Sequence, residues 1–226
     1  MPLFLFDLFG SASIGVYSLA TDKMMIVPPQ VPETKAQKVE EWLKVKVVST
    51  TIGKSVLIGA LACANSNGIV LSHFTEEKEI EAIKSASDIN VNVMDTKKTA
   101  YGNLILANDY GAVVDSRLGR RDLTKIEDTL GVEAVSGEIA GLPYVGSLAT
   151  ATNKGVLAHP LLREEEQKAL KDVLKVHVDV RTINCGIPYV ATGLIGNKYG
   201  AVVGFMTTGP EMFIIGQALD VVRENE

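Results

Sequence analysis

"ANSNGIVL", Ala64–Leu71, returns as "ANDYGAVV" from Ala107, as "ATNKGVLA" from Ala151 and as "GNKYGAVV" from Gly196. The glycines that end the four turns, Gly68, Gly111, Gly155 and Gly200, stand 43, 44 and 45 residues apart. One more step of 44 back lands on Met24 in "ATDKMMIV", where the flanks match although the glycine is gone. The 226 residues therefore hold five units of about 45 residues each. The register holds away from the turn. Nine residues before each anchor stand Gly15, Gly59, Gly102, Gly146 and Ala191; three before stand Thr21, Asn65, Asn108, Thr152 and Asn197. Fifteen after stand Val39, Ile83, Ile126, Leu170 and Ile215; nineteen after stand Leu43, Ser87, Leu130, Leu174 and Leu219.

Each unit has a physical reading. Asn or Thr opens the turn, and its side-chain oxygen suits local backbone amides. Gly at the fourth position is expected to supply the left-handed step of a bulged hairpin, so Met24 should be strained or its turn should differ. Flanking apolar runs such as "SVLIGALACA" and "IVLSH" read as buried strands. Amphipathic helices follow in "TEEKEIEAIKSA", "DLTKIEDTL" and "EEEQKALKDVLK", and "PETKAQKVEEWLK" and "PEMFIIGQAL" complete the set, each opening with Pro-Glu as a helix N-terminus often does. Short alternating strands close the units: "VKVVST", "NVNVMD", "VEAVSG" and "VHVDVR". The unit is an α/β element of hairpin, helix and strand, with boundaries near 10–50, 51–94, 95–137, 138–180 and 181–220. The fifth unit lacks its last strand, and "PLFLFDLF" at residues 2–9 stands where that strand would be. The expectation is one domain over 1–226, in which the N-terminal strand completes the last unit and closes a ring without free edges.

Composition sets limits. Apolar residues make up 46% and charged residues 22%, with a net charge of −5. No apolar run reaches membrane-helix length. The N-terminus has no basic region and carries Asp7, so it does not read as a signal peptide. Two cysteines form no disulfide framework, which suits a reducing cytoplasm. The acidic balance argues against unaided nucleic-acid binding, and no DNA or membrane partner is expected. There is no phosphate loop, dinucleotide fingerprint, nucleophile elbow or metal-type spacing, so no cofactor or metal is expected.

Candidate chemistry is sparse. Cys63 lies in an apolar strand and reads as a small core residue. Cys185, near Arg181, could be an exposed thiol. His73, His159 and His177 read as structural. The strongest enzymatic constellation is Cys185 with His159 or His177 and a carboxylate such as Asp179, which spacing alone does not support. Lys97, Lys98, Arg117, Arg120 and Arg121 form the one basic concentration and could touch phosphate locally. The loops entering the hairpins differ between units while the cores repeat, and in a ring they gather on one side. There Tyr101, Asn103, Tyr144 and Tyr189 offer aromatic and amide groups suited to a protein or ribonucleoprotein surface.

"TTIGKSVLIGALACANSNGIVLS", "KKTAYGNLILANDYGAVV", "GLPYVGSLATATNKGVLAHPL" and "GLIGNKYGAVVGFMTTGPE" resemble the translation initiation factor 6 family in its shorter, archaeal form. The resemblance runs from about Ser13 to Leu219. It implies a pentein fold, five pseudo-symmetric α/β units closed into a ring. It implies no enzyme but a factor that docks on the intersubunit face of the large ribosomal subunit and keeps the small subunit off. The partner implied is a ribosomal protein there, near the sarcin–ricin loop of the large rRNA, with the factor a monomer. Regulation through the C-terminal tail of eukaryotic members is not expected here. The family's docking motif falls on Gly102–Asn103. Tyr101, Asn65, Ala60, Tyr144 and Ser147 join it as neighbours by symmetry. The alternative within the same fold is a guanidino-modifying hydrolase or transferase, with Cys185 as nucleophile beside a histidine and a carboxylate.

Overall fold

The computed structural model describes residues 2–220. The chain opens with β1 (Leu3–Phe6). The first unit follows as α1 (Ile14–Tyr17), β2 (Leu19–Ala20), β3 (Met24–Val27), α2 (Glu33–Leu43) and β4 (Lys46–Ser49). The second is α3 (Ile58–Leu61), β5 (Cys63–Ala64), β6 (Gly68–Leu71), α4 (Glu77–Ala86) and β7 (Asn90–Val93). The third is α5 (Tyr101–Leu104), β8 (Ile105–Ala107), β9 (Ala112–Asp115), α6 (Arg120–Leu130) and β10 (Ala134–Gly137). The fourth is α7 (Val145–Leu148), β11 (Ala149–Ala151), β12 (Gly155–Ala158), α8 (Glu164–Leu174) and β13 (His177–Val180). The fifth is a 3-10 turn (Val190–Thr192), β14 (Leu194–Gly196), β15 (Ala201–Gly204) and α9 (Gly209–Ala218).

Each unit builds a three-stranded sheet, with an antiparallel hairpin inside and a parallel strand outside. The fifth sheet takes its outer strand from the start of the chain: β1 runs parallel to β15, with Leu3 opposite Ala201 and Phe6 opposite Gly204. This is the closure expected from the misplaced N-terminal strand. The apolar residues form five cores, each shared by two neighbouring units. Ile14, Met25 and Val39 of the first unit pack with Ile195 and Val202 of the fifth, so no seam of the ring is left open.

Two expectations need correction. The residues entering each hairpin are not strand; they form one short helical turn before a very short first strand. Four residues are too few to show a helical period. The turn glycines, too, are not left-handed: Gly68, Gly111, Gly155 and Gly200 are absent from the positive-φ positions among the described residues. They are glycine because the next unit's helix comes down on them. A Cβ on Gly68 would overlap the Thr129 carbonyl oxygen near the end of α6, and Gly111 and Gly155 meet Val173 and Ala218 in the same way. Met24 faces the end of α4, which stops at Ala86 with an extended Ser87 instead of the left-handed residue that ends α2, α6 and α8. Met24 lies buried and without positive φ in the core it shares with Ile80 and Ile83.

Candidate functional site

The ring has two unlike faces. At one lie the hairpin turns, where Asn65 Oδ1 accepts the amides of Asn67 and Gly68, as its turn position requires. Its Nδ2 donates to Asn108 O (3.1 Å) and Leu130 O (2.8 Å) of the next unit. Asn108 bonds Thr152 O and Leu174 O likewise, and Asn197 closes the circle onto Thr21 O and Leu43 O. Asn65 is therefore buried at the turn face with its amide spent, and it does not stand beside Gly102–Asn103. The expectation that Asn65 neighbours Asn103 is therefore corrected: the two lie at opposite ends of their hairpins.

At the other face the short helical turns surround a cavity of about 120 Å³. Gly15, Gly59, Gly102 and Gly146 each press a Cα against the backbone of the preceding turn, with Gly102 on the carbonyls of Gly59 and Ala62. The fifth position is Ala191, and there the turn is a 3-10 turn. Ala60, Asn103, Ser147 and Thr192 line the cavity from consecutive turns. The Asn103 side chain makes no hydrogen bond among the described residues, in contrast to the three spent asparagines of the turn face. Ser147 Oγ donates to Tyr144 O. Tyr144 and Tyr189 are 46% exposed. Tyr101 is fully buried, its hydroxyl 2.6 Å from Thr96 Oγ1, so it props the third loop from beneath and offers no surface.

The loops of this face are pinned from below. In three units the third residue of the long helix is a glutamate that accepts amides from the loop before it. Glu79 takes Gly53 and Lys54, Glu166 takes Ala140 and Gly141, and Glu211 takes Cys185 and Gly186. These amides belong to adjacent left-handed residues, a concave backbone suited to an anion. In the first unit Lys35 holds Asp7 instead, at 2.7 Å. The third unit has Asp122, one methylene shorter, and its loop at residues 95–99 has no left-handed residue; it carries Lys97 and Lys98.

The enzymatic constellation is not assembled. His177 pairs in register with Gly155 at the turn end of the sheet, while Cys185 lies beyond the other end of that strand. His177 Nε2 is 3.0 Å from Asp179 Oδ2. His159 is buried and held below the usual histidine range chiefly by burial; its Nδ1 accepts the Leu161 amide. Cys63 is buried, and burial pushes its thiol up to about 12, which leaves it inert.

A family model described as the eIF-6 family matches residues 4–218. The chain belongs to the eIF-6 family. Translation initiation factor 6 of Pyrococcus horikoshii is 43% identical over 221 residues, covering 96% of this chain and 97% of the relative. Those of Methanocaldococcus jannaschii and Staphylothermus marinus are 42% and 37% identical, the first covering 94% of this chain and 96% of its own, the second 97% and 98%. This eIF-6 family member is thus a translation initiation factor, and its relatives are named for that role and not for catalysis. Its chain path is also similar to DDAH from Pseudomonas aeruginosa complexed with citrulline (11% identity, 74% of this chain and 68% of that one, TM-score 0.45). Agmatine deiminase of C. jejuni follows at 13% identity, 88% and 73% coverage and a TM-score of 0.41. No helix among the described residues is long and apolar enough to cross a membrane.

Proposed function

We propose that this protein docks by its short-helix face on the intersubunit face of the large ribosomal subunit and excludes the small subunit by occupying that surface. The reading takes it to be a cytoplasmic monomer whose main contact is a ribosomal protein near the sarcin–ricin loop. One observation carries the choice of face: large apolar and aromatic side chains stand exposed on it, among basic ones such as Lys54, Lys97 and Arg117. Leu57, Tyr144 and Tyr189 precede their short turns, and Phe74, Leu161 and Met206 tip the loops beyond the central strands. The turn face carries Asp22, Lys23, Asn67, Lys154 and Lys198, with Tyr110 its one large exposed hydrophobic side chain among the described residues. An apolar patch of this kind marks a docking surface, and a stable complex of about 1,600 Å² needs no chemistry to act by exclusion. The net charge of −5 suits a basic protein partner.

The docking set is Gly102, Asn103, Ala60, Tyr144 and Ser147, with Asn103 at its centre because its amide is unspent. Asn103→Ala is expected to weaken co-sedimentation with purified large subunits about ten-fold, at an unchanged melting temperature. It should also restore joining of small subunits in a gradient. Wild-type affinity in the variant would remove Asn103 from the interface.

A further inference from the structure

The basic residues of the third unit do not all have free hands. Asp115, at the end of β9, has a side chain shielded from solvent. Its Oδ1 accepts Arg117 N and Nε, both at 2.9 Å, and its Oδ2 accepts Nη2 at 2.6 Å. Burial works to raise the Asp115 carboxyl, and the Arg117 contacts outweigh it and leave it below the ordinary value. The guanidinium is thus fixed along one edge by a buried charge. Its central carbon, Cζ, lies over the Tyr144 ring, 4.6 Å from the centre, and Nη1 donates to the Tyr144 hydroxyl at 3.4 Å. The contact crosses a seam: Arg117 tips the third unit's loop, and Tyr144 caps the short turn of the fourth. The next seam repeats the arrangement with other chemistry. There the His159 ring meets Tyr189 edge-on, 6.1 Å between centroids, while its Nδ1 holds the Leu161 amide as Asp115 holds that of Arg117.

We propose that Arg117 is a positioning residue for docking: anchored by Asp115, it holds the Tyr144 ring in place on the short-helix face before any partner arrives. The proposal rests on the docking reading given above. A half-exposed tyrosine with a free ring loses rotamer freedom when it is buried in an interface, and a pre-set ring does not. Arginine is required because only its planar fork can chelate a carboxylate along one edge and stack on a ring with its face; lysine keeps the charge and loses both. Lys97, Lys98, Arg120 and Arg121 have no ion pair among the described residues, so Arg117 is the one of the basic group committed internally.

Arg117→Lys leaves Asp115 its neutralising charge, so the fold is expected to survive. Affinity for purified large subunits would be measured for wild type, Arg117→Lys, Tyr144→Ala and the double variant across a monovalent salt series. In the free protein, fluorotyrosine NMR would follow the Tyr144 ring, assigned through Tyr144→Phe. Arg117→Lys is expected to weaken binding about five-fold in the wild-type background, to add nothing to Tyr144→Ala, and to leave the salt slope unchanged. The Tyr144 resonance is expected to move in Arg117→Lys. A full five-fold loss in the Tyr144→Ala background would overturn the proposal, because Arg117 would then touch the partner itself. An unmoved Tyr144 resonance would overturn it as well. If wild type fails to bind large subunits, the docking reading falls and the docking role of Arg117 with it, whereas the resonance still decides whether Arg117 holds the ring.

Discussion

Glu211 shows how much a single side chain contributes here. Burial works to raise its carboxyl, but the Thr208 and Gly186 amides and the Thr182 hydroxyl bring it down to about 2. Its value in the unfolded chain is about 4.3. A folded value below the unfolded one stabilises the protein above about pH 4.3, and that stabilisation is lost as pH falls through about 2. Glu211→Gln is therefore expected to cost about 2 kcal/mol in urea denaturation at pH 7, with the difference from wild type shrinking towards pH 2. A difference that stays constant with pH would mean that shape, not charge, matters at this position.

At the scale of elements, the same residue is one of a series. Eleven residues after each anchor stand Lys35, Glu79, Asp122, Glu166 and Glu211, so the loop pins follow the repeat and could have been found by trying that offset. Tyr144 and Tyr189 both stand eleven before their anchors. Helices α4, α6 and α8 were legible because their apolar faces recur over ten or eleven residues, α2 and α9 from the Pro-Glu that opens them, and the outer strands because a period of two repeats within four residues while a helical period does not. The short turns were not, since four residues carry no period. Nor was the reason for the turn glycines, because the carbonyl that forbids a side chain at Gly68 belongs to Thr129 in the next unit. Asn65 and Tyr101 were misplaced for the same reason: a repeat gives register along the chain but does not say which end of a hairpin faces a partner or which ring points inward. The close approach predicts a contrast. Gly68→Ala should cost about 3 kcal/mol, because backbone must move to admit the methyl. Gly119, the N-cap of α6 at φ −76°, has nothing within 4 Å of the added Cβ, and Gly119→Ala should change stability by less than about 1 kcal/mol, the weaker cap offset by a stiffer unfolded chain. Calorimetric melting of both variants decides the point; equal shifts would discredit the steric account.

At the scale of the whole molecule, the ring is held by seams, and the weakest in connectivity is the fifth sheet. Removal of residues 1–9 would strip β1 from β15 and take Phe6 and Leu8 out of the core shared by the fifth and first units. The bare edge invites pairing with another chain. The truncated protein is expected to melt well below wild type and to self-associate on size exclusion, and an unchanged monomer with an unchanged melting temperature would refute the closure. The same strand has a consequence for biosynthesis. Leu3 leaves the synthesising ribosome 198 residues ahead of Ala201, which lies opposite it. Contacts of such long sequence separation form late. A nascent chain of this protein therefore carries β1 unmatched until β15 has been translated. Chains interrupted before β15 lack the fifth sheet and, on the proposed docking reading, present only part of the docking face, so they are expected to compete poorly with the finished protein for large subunits.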